Sequence, residues 1–232
     1  MFVSQKKCNQ LFDAIISGDL NAVQEADLKT FQTFEKRDSN GNAIKNMSAL
    51  FYSILYRKDQ VFSFLIEKKV PMTLKKDTVI EVPLFGKIAQ VLISSQCTVL
   101  QFAVIVDNSY AVQQLLQRMP EMADIRNANG QAILQTAGSM DTEAAQIIWK
   151  NSDIVKRQIM QIDQDDLNPL MRVCYFGRAR ILKHWMLELS GDKDLQAAVF
   201  KAAVFMCEKK YSIVELATRR PNGYDKKGVE DG

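Results

Sequence analysis

Histidine is almost absent from this 232-residue chain: His184 is the only one. A histidine-dependent zinc site or nucleophilic triad could therefore be built only around that residue, and no HExxH segment exists. Cysteine is nearly as sparse. Cys8, Cys97, Cys174 and Cys207 are far apart and none lies in a CxxC pair, which points to scattered buried thiols in a reducing compartment. Glycine (10 residues) and proline (5 residues) are too few for a low-complexity linker, so one domain is expected. The longest apolar run, around Val99 to Val106, is far short of the roughly 20 residues a membrane helix needs. Met1 to Lys7 lacks the apolar stretch of a signal peptide, so Asn46-Met47-Ser48 reads as a chance sequon. Neither charge sign dominates: 30 basic and 27 acidic side chains leave +3, too even for a nucleic-acid binder. No glycine-rich phosphate loop is present.

What the chain does contain is helical periodicity, repeated. Apolar residues make up 47% of it, enough for a sizeable core at this length. Five segments share a leucine followed three places on by a small or apolar residue, with a second apolar cluster about twelve to sixteen residues after the leucine. The anchors are Leu11, Leu50, Leu100, Leu134 and Leu170, spaced by 39, 50, 34 and 36 residues. The later clusters are Val23; Phe62, Leu65 and Ile66; Val112, Leu115 and Leu116; Ile147, Ile148 and Trp149; and Leu182, Trp185 and Met186. A weaker sixth unit is Phe200 to Lys209 followed by Ile213, Val214 and Leu216. Such units cannot bury an apolar face alone and must stack. Ala14, Ser53, Ala103 and Ala137 are small enough to let neighbouring helices approach.

Two of the spacings lie near the roughly 33-residue ankyrin period. Asn168-Pro169-Leu170-Met171-Arg172-Val173-Cys174 resembles the ankyrin opening Thr-Pro-Leu-His-x-Ala-Ala. Asp38-Ser39-Asn40-Gly41 and Asn127-Ala128-Asn129-Gly130 resemble the finger turns of that family. The family's histidine is replaced by Phe12, Phe51, Gln101, Gln135 and Met171, and the fourth unit slips by about one residue. The resemblance implies an all-α, ankyrin-like solenoid of about six helix pairs over residues 1–220, and the polar stretch 221–232, with Gly223, Gly228 and Gly232, reads as a flexible tail.

The interval from Leu50 to Leu100 exceeds a standard unit by about 16 residues. Within 75–96, Thr78-Val79-Ile80-Glu81-Val82 and Ile88-Ala89-Gln90-Val91-Leu92-Ile93 read as strands joined by Pro83-Leu84-Phe85-Gly86-Lys87. This predicts an enlarged β-hairpin finger between the second and third repeats. It either reaches for a partner, with Phe85 at its turn, or folds back over its neighbours.

The candidate site follows from the resemblance. In ankyrin stacks the two positions after the small pair face the concave groove. Here they are Ile16-Ser17, Leu55-Tyr56, Ile105-Val106, Ser139-Met140 and Tyr175-Phe176. Leu55, Tyr56, Ile105, Val106, Met140, Tyr175 and Phe176 would form an exposed apolar row, the mark of an interaction surface, unless the register slips and buries them between units. Arg178 and Arg180 flank a helix–helix turn within reach of an acidic partner. The reading is a monomeric, non-enzymatic adaptor that binds a protein, with no cofactor, metal, nucleic acid or membrane insertion. It would act in the cytoplasm, or in a host cell's cytoplasm as a secreted bacterial effector. The alternative is an enzyme or enzyme fragment with its site near His184 or the acidic run Asp163 to Asp166. His184 reads first as a surface or packing histidine. The run lacks the glycine and distal glutamate of a calcium loop, and reads first as a solvated turn that helps cap the next helix.

Overall fold

The structure, a computed structural model, describes residues 5–26, 34–37, 43–68, 70–84, 87–178, 181 and 192–208. Phe85, the turn Asp38–Gly41, Arg180, His184, residues 209–220 and the tail 221–232 lie outside the described residues. The chain is mostly helical. Its elements are α1 (Gln5–Ser17), α2 (Leu20–Glu25), β1 (Phe34–Arg37), β2 (Ala43–Met47), α3 (Ala49–Leu55), α4 (Asp59–Leu65), β3 (Thr78–Leu84) and β4 (Lys87–Ile93). They continue as α5 (Val99–Ile105), α6 (Ser109–Arg118), a 3₁₀ turn (Pro120–Asp124), α7 (Ile133–Gly138), α8 (Glu143–Trp149), α9 (Ser152–Gln158), α10 (Pro169–Tyr175) and α11 (Lys193–Glu208).

Short polar residues start the helices. Thr98 Oγ1 accepts from the Gln101 backbone N–H at 3.1 Å while Gln101 Oε1 accepts from the Thr98 N–H at 2.9 Å, a complete capping box for α5. Asn168 caps α10 by accepting from the Met171 N–H at 2.8 Å, with Pro169 pre-set for the first helical position. Asp19, Asn108, Thr142 and Asn151 cap α2, α6, α8 and α9 in the same way.

A recurrent turn ends four of the helices that carry the anchor leucines. Gly18, Arg57, Asp107 and Gly177 have φ of 84, 54, 56 and 63°. The next N–H in each case reaches back five residues: Asp19 to Ala14 (2.9 Å), Lys58 to Ser53 (2.9 Å), Asn108 to Ala103 (2.8 Å) and Arg178 to Val173 (2.9 Å). This is a Schellman closure, and it reverses the chain into the second helix. α7 lacks it. Its last residue, Gly138, is instead pressed on α10, where a Cβ would lie 3.0 Å from the Pro169 carbonyl oxygen.

The anchor-leucine helices contact one another in chain order, α1 with α3, α3 with α5, α5 with α7 and α7 with α10. A second file runs α2, α4, α6, α8 in the same sequence. The core lies between the files: the five anchor leucines are buried, as are Ala14, Ser53, Ala103 and Ala137. Val23, Phe62, Leu65, Val112, Leu115 and Ile148 meet them from the second file.

Two features depart from the sequence reading. Strands β1 and β2 pair antiparallel, so the segment before Leu50 is more than a turn. The fourth unit also carries an extra helix, α9. Gln158 at its end is fully buried; its Oε1 accepts from the Leu134 N–H at 3.1 Å, and its Nε2 donates to the Ala123 carbonyl at 2.8 Å and to Asp124 Oδ1 at 2.7 Å. One polar side chain thus ties three segments where apolar periodicity gives no signal. Among the described residues no helix is long and apolar enough to cross a membrane.

Candidate functional site

Three finger turns line up beside the N-termini of α5, α7 and α10. Each has a left-handed residue four positions before its anchor leucine: Gln96 (φ 59°), Gly130 (φ 73°) and Asp166 (φ 57°). The Ala128 N–H donates to the Ser95 carbonyl at 2.9 Å and the Gln164 N–H to the Asn129 carbonyl at 3.1 Å, so each finger is bonded to the next through backbone. Gln101 and Gln135, at the position of the missing histidine, complete the coupling. Each holds its own helix cap with Oε1, and their Nε2 groups donate to the Gln131 carbonyl (2.7 Å) and the Gln161 carbonyl (3.1 Å) of the following finger.

At the far ends of these helices lie the predicted groove residues. Tyr56, Val106 and Phe176 occupy one structural position, with φ of −92, −90 and −88° and ψ of 7, 8 and 2°. Polar latches join successive turns. Arg57 Nη2 donates to the Asp107 carbonyl at 2.9 Å, the Ala144 N–H donates to Asp107 Oδ1 at 3.0 Å, and Arg178 Nε donates to the Ser139 carbonyl at 2.9 Å. Arg178 therefore fastens one unit to another, and its guanidinium stands 5.6 Å from the Phe176 ring centre.

The expected open row is narrower than the sequence implied. Ile105 is buried, because α5 is packed by α3, α6, α7 and α8, and all of Val99–Ile105 is buried with it. α7 is likewise buried along its length. Ile16, Leu55, Tyr56, Val106, Met140, Tyr175 and Phe176 are half-buried, and all but Phe176 pack against the core. Tyr56 stacks on Tyr52 at 6.5 Å and meets Phe12 edge-on at 6.1 Å; Tyr175 meets Phe176 edge-on at 5.1 Å. The two aromatic groups thus sit on different units, with the aliphatic Val106 and Met140 between them along the chain.

The acidic run forms a turn that is solvated at Gln164, Asp165 and Asp166 but not at Asp163. Asp163 is buried; its Oδ1 accepts from the Asp165 N–H (2.9 Å) and the Leu167 N–H (3.1 Å), and its Oδ2 accepts from Arg172 Nε. Arg172 Nη2 reaches Asp165 at 2.7 Å. The run does not cap α10, since Asn168 does. Among the described residues no group of three or more His, Cys, Asp or Glu could hold a metal ion. Burial pushes the Cys97 and Cys174 thiols up from their ordinary value.

Sequence reasoning missed the two most exposed large apolar side chains among the described residues. Val79 (50% exposed) and Leu92 (67% exposed) are cross-strand partners on the outer face of the β3–β4 hairpin. Thr78, Ile80 and Ile93 on its inner face are buried. The period-two alternation carried this signal, which identified the strands without identifying the face turned outward. Ile125, Met160 and Ile162 are also exposed, beside the second and third fingers.

Comparison with known proteins assigns no family: no family model matches the chain, and no curated protein matches it significantly.

Proposed function

We propose that this chain is an ankyrin-like stack of helix pairs that acts as a protein-binding scaffold and performs no catalysis. The observation that carries the reading is the recurrence of one unit geometry. The same helix-ending turn stands at Gly18, Arg57, Asp107 and Gly177, a left-handed residue stands four positions before Leu100, Leu134 and Leu170, and the last two of these share one turn of backbone bonds. Such a file of units grows by stacking and presents a long surface to a partner rather than an enclosed pocket. The partner surface is the half-exposed row Tyr56, Val106, Met140 and Phe176, with the outer face of the hairpin at Val79 and Leu92. Apolar and aromatic side chains held half-exposed on a rigid frame are what interface centres use.

The test is affinity capture from a lysate of the source cells, read by mass spectrometry, with Phe176→Lys and Leu92→Lys beside the parent. The expected outcome is loss of the captured protein in either variant with the melting temperature nearly unchanged. Capture that persists in both would refute the surface. A large fall in melting would show that these side chains serve packing instead.

A further inference from the structure

The β3–β4 hairpin has two edges, and the sequence closes only one of them. Leu84 pairs with Lys87 across a two-residue connection. Such a connection closes on a pair that exchanges both N–H···O bonds, and bonded and non-bonded pairs then alternate. Val82↔Ala89, Ile80↔Val91 and Thr78↔Ile93 are therefore bonded, whereas Pro83↔Ile88, Glu81↔Gln90 and Val79↔Leu92 turn their backbone groups outward. Pro83 checks this assignment independently. Proline has no N–H, so it is tolerated in a ladder only where the N–H would face out. It blocks the β3 edge, and β3 is also the strand that packs on β2. β4 has no such block. It is hydrogen-bonded to β3 alone among the described residues, leaving the N–H and C=O groups of Gln90 and Leu92 unused beside the exposed Leu92 side chain.

An open strand edge beside an exposed apolar side chain is a template for another strand, and proteins that do not use one blunt it. Charge says what kind of strand. Lys75 and Lys76 are exposed at the base of the hairpin, and neither forms an ion pair among the described residues. Nearby Asp77 accepts from the Ser95 N–H at 2.7 Å.

We infer that the outer edge of β4 receives an extended segment of the partner protein as a third strand. The segment has alternating apolar side chains, one of them against Leu92, and carboxylates toward Lys75 and Lys76. This is strand addition, in which backbone bonds hold the ligand and alternate side chains select it. The inference rests on the scaffold reading for the existence of a protein partner.

The probe is a phage-displayed library of random linear dodecapeptides, selected on the full chain. The enriched peptide is then synthesised and titrated against the parent, Gln90→Pro and Gln90→Thr. Gln90→Pro removes one outward N–H and no ladder bond, as Pro83 does on the other strand. The expected consensus alternates apolar residues and ends in acidic ones, with affinity falling about tenfold in Gln90→Pro and unchanged in Gln90→Thr. Should the proline variant melt early, amide exchange of Gln90 and Leu92 in the parent decides: both slow when peptide is added. The inference is overturned if no peptide is enriched, if Gln90→Pro binds equally, or if those amides exchange unchanged. It is also overturned if the parent alone self-associates through this edge in sedimentation, since the occupant would then be a second copy. Failure here with lysate capture still sensitive to Phe176→Lys removes the edge and leaves the scaffold; peptide binding with capture insensitive to Phe176→Lys removes the row of turns instead.

Discussion

The second and third finger turns have the same backbone and opposite chemistry. In one, Asn127 Oδ1 accepts from the Asn129 and Gln131 N–H groups, both at 3.0 Å; in the other, Asp163 Oδ1 accepts from Asp165 and Leu167. The second turn is neutral, and the helix position two places after its anchor leucine is Thr136, whose hydroxyl donates to the Ala132 carbonyl at 3.3 Å. In the third, the corresponding position is Arg172, buried against Asp163. The geometry therefore asks only for a short side-chain acceptor. The charge is an added commitment, because a buried carboxylate needs its cation.

The largest test of this contrast is Arg172→Met, which leaves Asp163 buried and unpaired. It should lower stability by about 3–5 kcal/mol in urea denaturation. Copying the neutral finger with Asp163→Asn and Arg172→Thr together should restore about half of that loss or more, since replacing both partners removes the stranded charge. The turn apex gives a smaller effect of either sign. Gly130→Ala should cost about 1 kcal/mol, because φ is 73° there, while Asp166→Gly should gain about 0.5 kcal/mol by relieving φ of 57°. The smallest effect belongs to an exposed pair. Lys156 Nζ meets Asp192 Oδ2 at 2.9 Å, and this hydrogen bond holds the Asp192 carboxyl below its usual value. Its contribution is present above the ordinary carboxylate range and lost as pH falls through the lowered value. Lys156→Met should therefore melt slightly below the parent at neutral pH and converge with it in acid, by calorimetry.

The helix pairs from α1 to α8 were legible in the sequence because anchor leucines and small residues recur with a period, and the hairpin because its alternation is clean; Leu182, Trp185 and Met186, the expected second helix of the fifth unit, lie outside the described residues. Ser152–Gln158 was not. It buries Ile154, Val155 and a glutamine, too little apolar pattern to separate from a loop. The Arg172–Asp163 pair was hidden for a related reason: charged residues are mostly exposed, so a run of three aspartates reads as solvated. The residues proposed for the groove lie at helix ends, and their exposure was overestimated. Periodicity reports which side of one helix is apolar, and says nothing of how many neighbours close over α5.

Gln101 and Gln135 set how the molecule comes apart. Each clamps its own helix start to the finger that follows, so a run of side-chain bonds ties the segments from Thr98 to Gln161 together. Phe51 and Met171, the side chains at that position on either side, have no amide to donate onward. Melting is expected to proceed from both flanks toward this centre, with amide exchange slowest in α5 and α7.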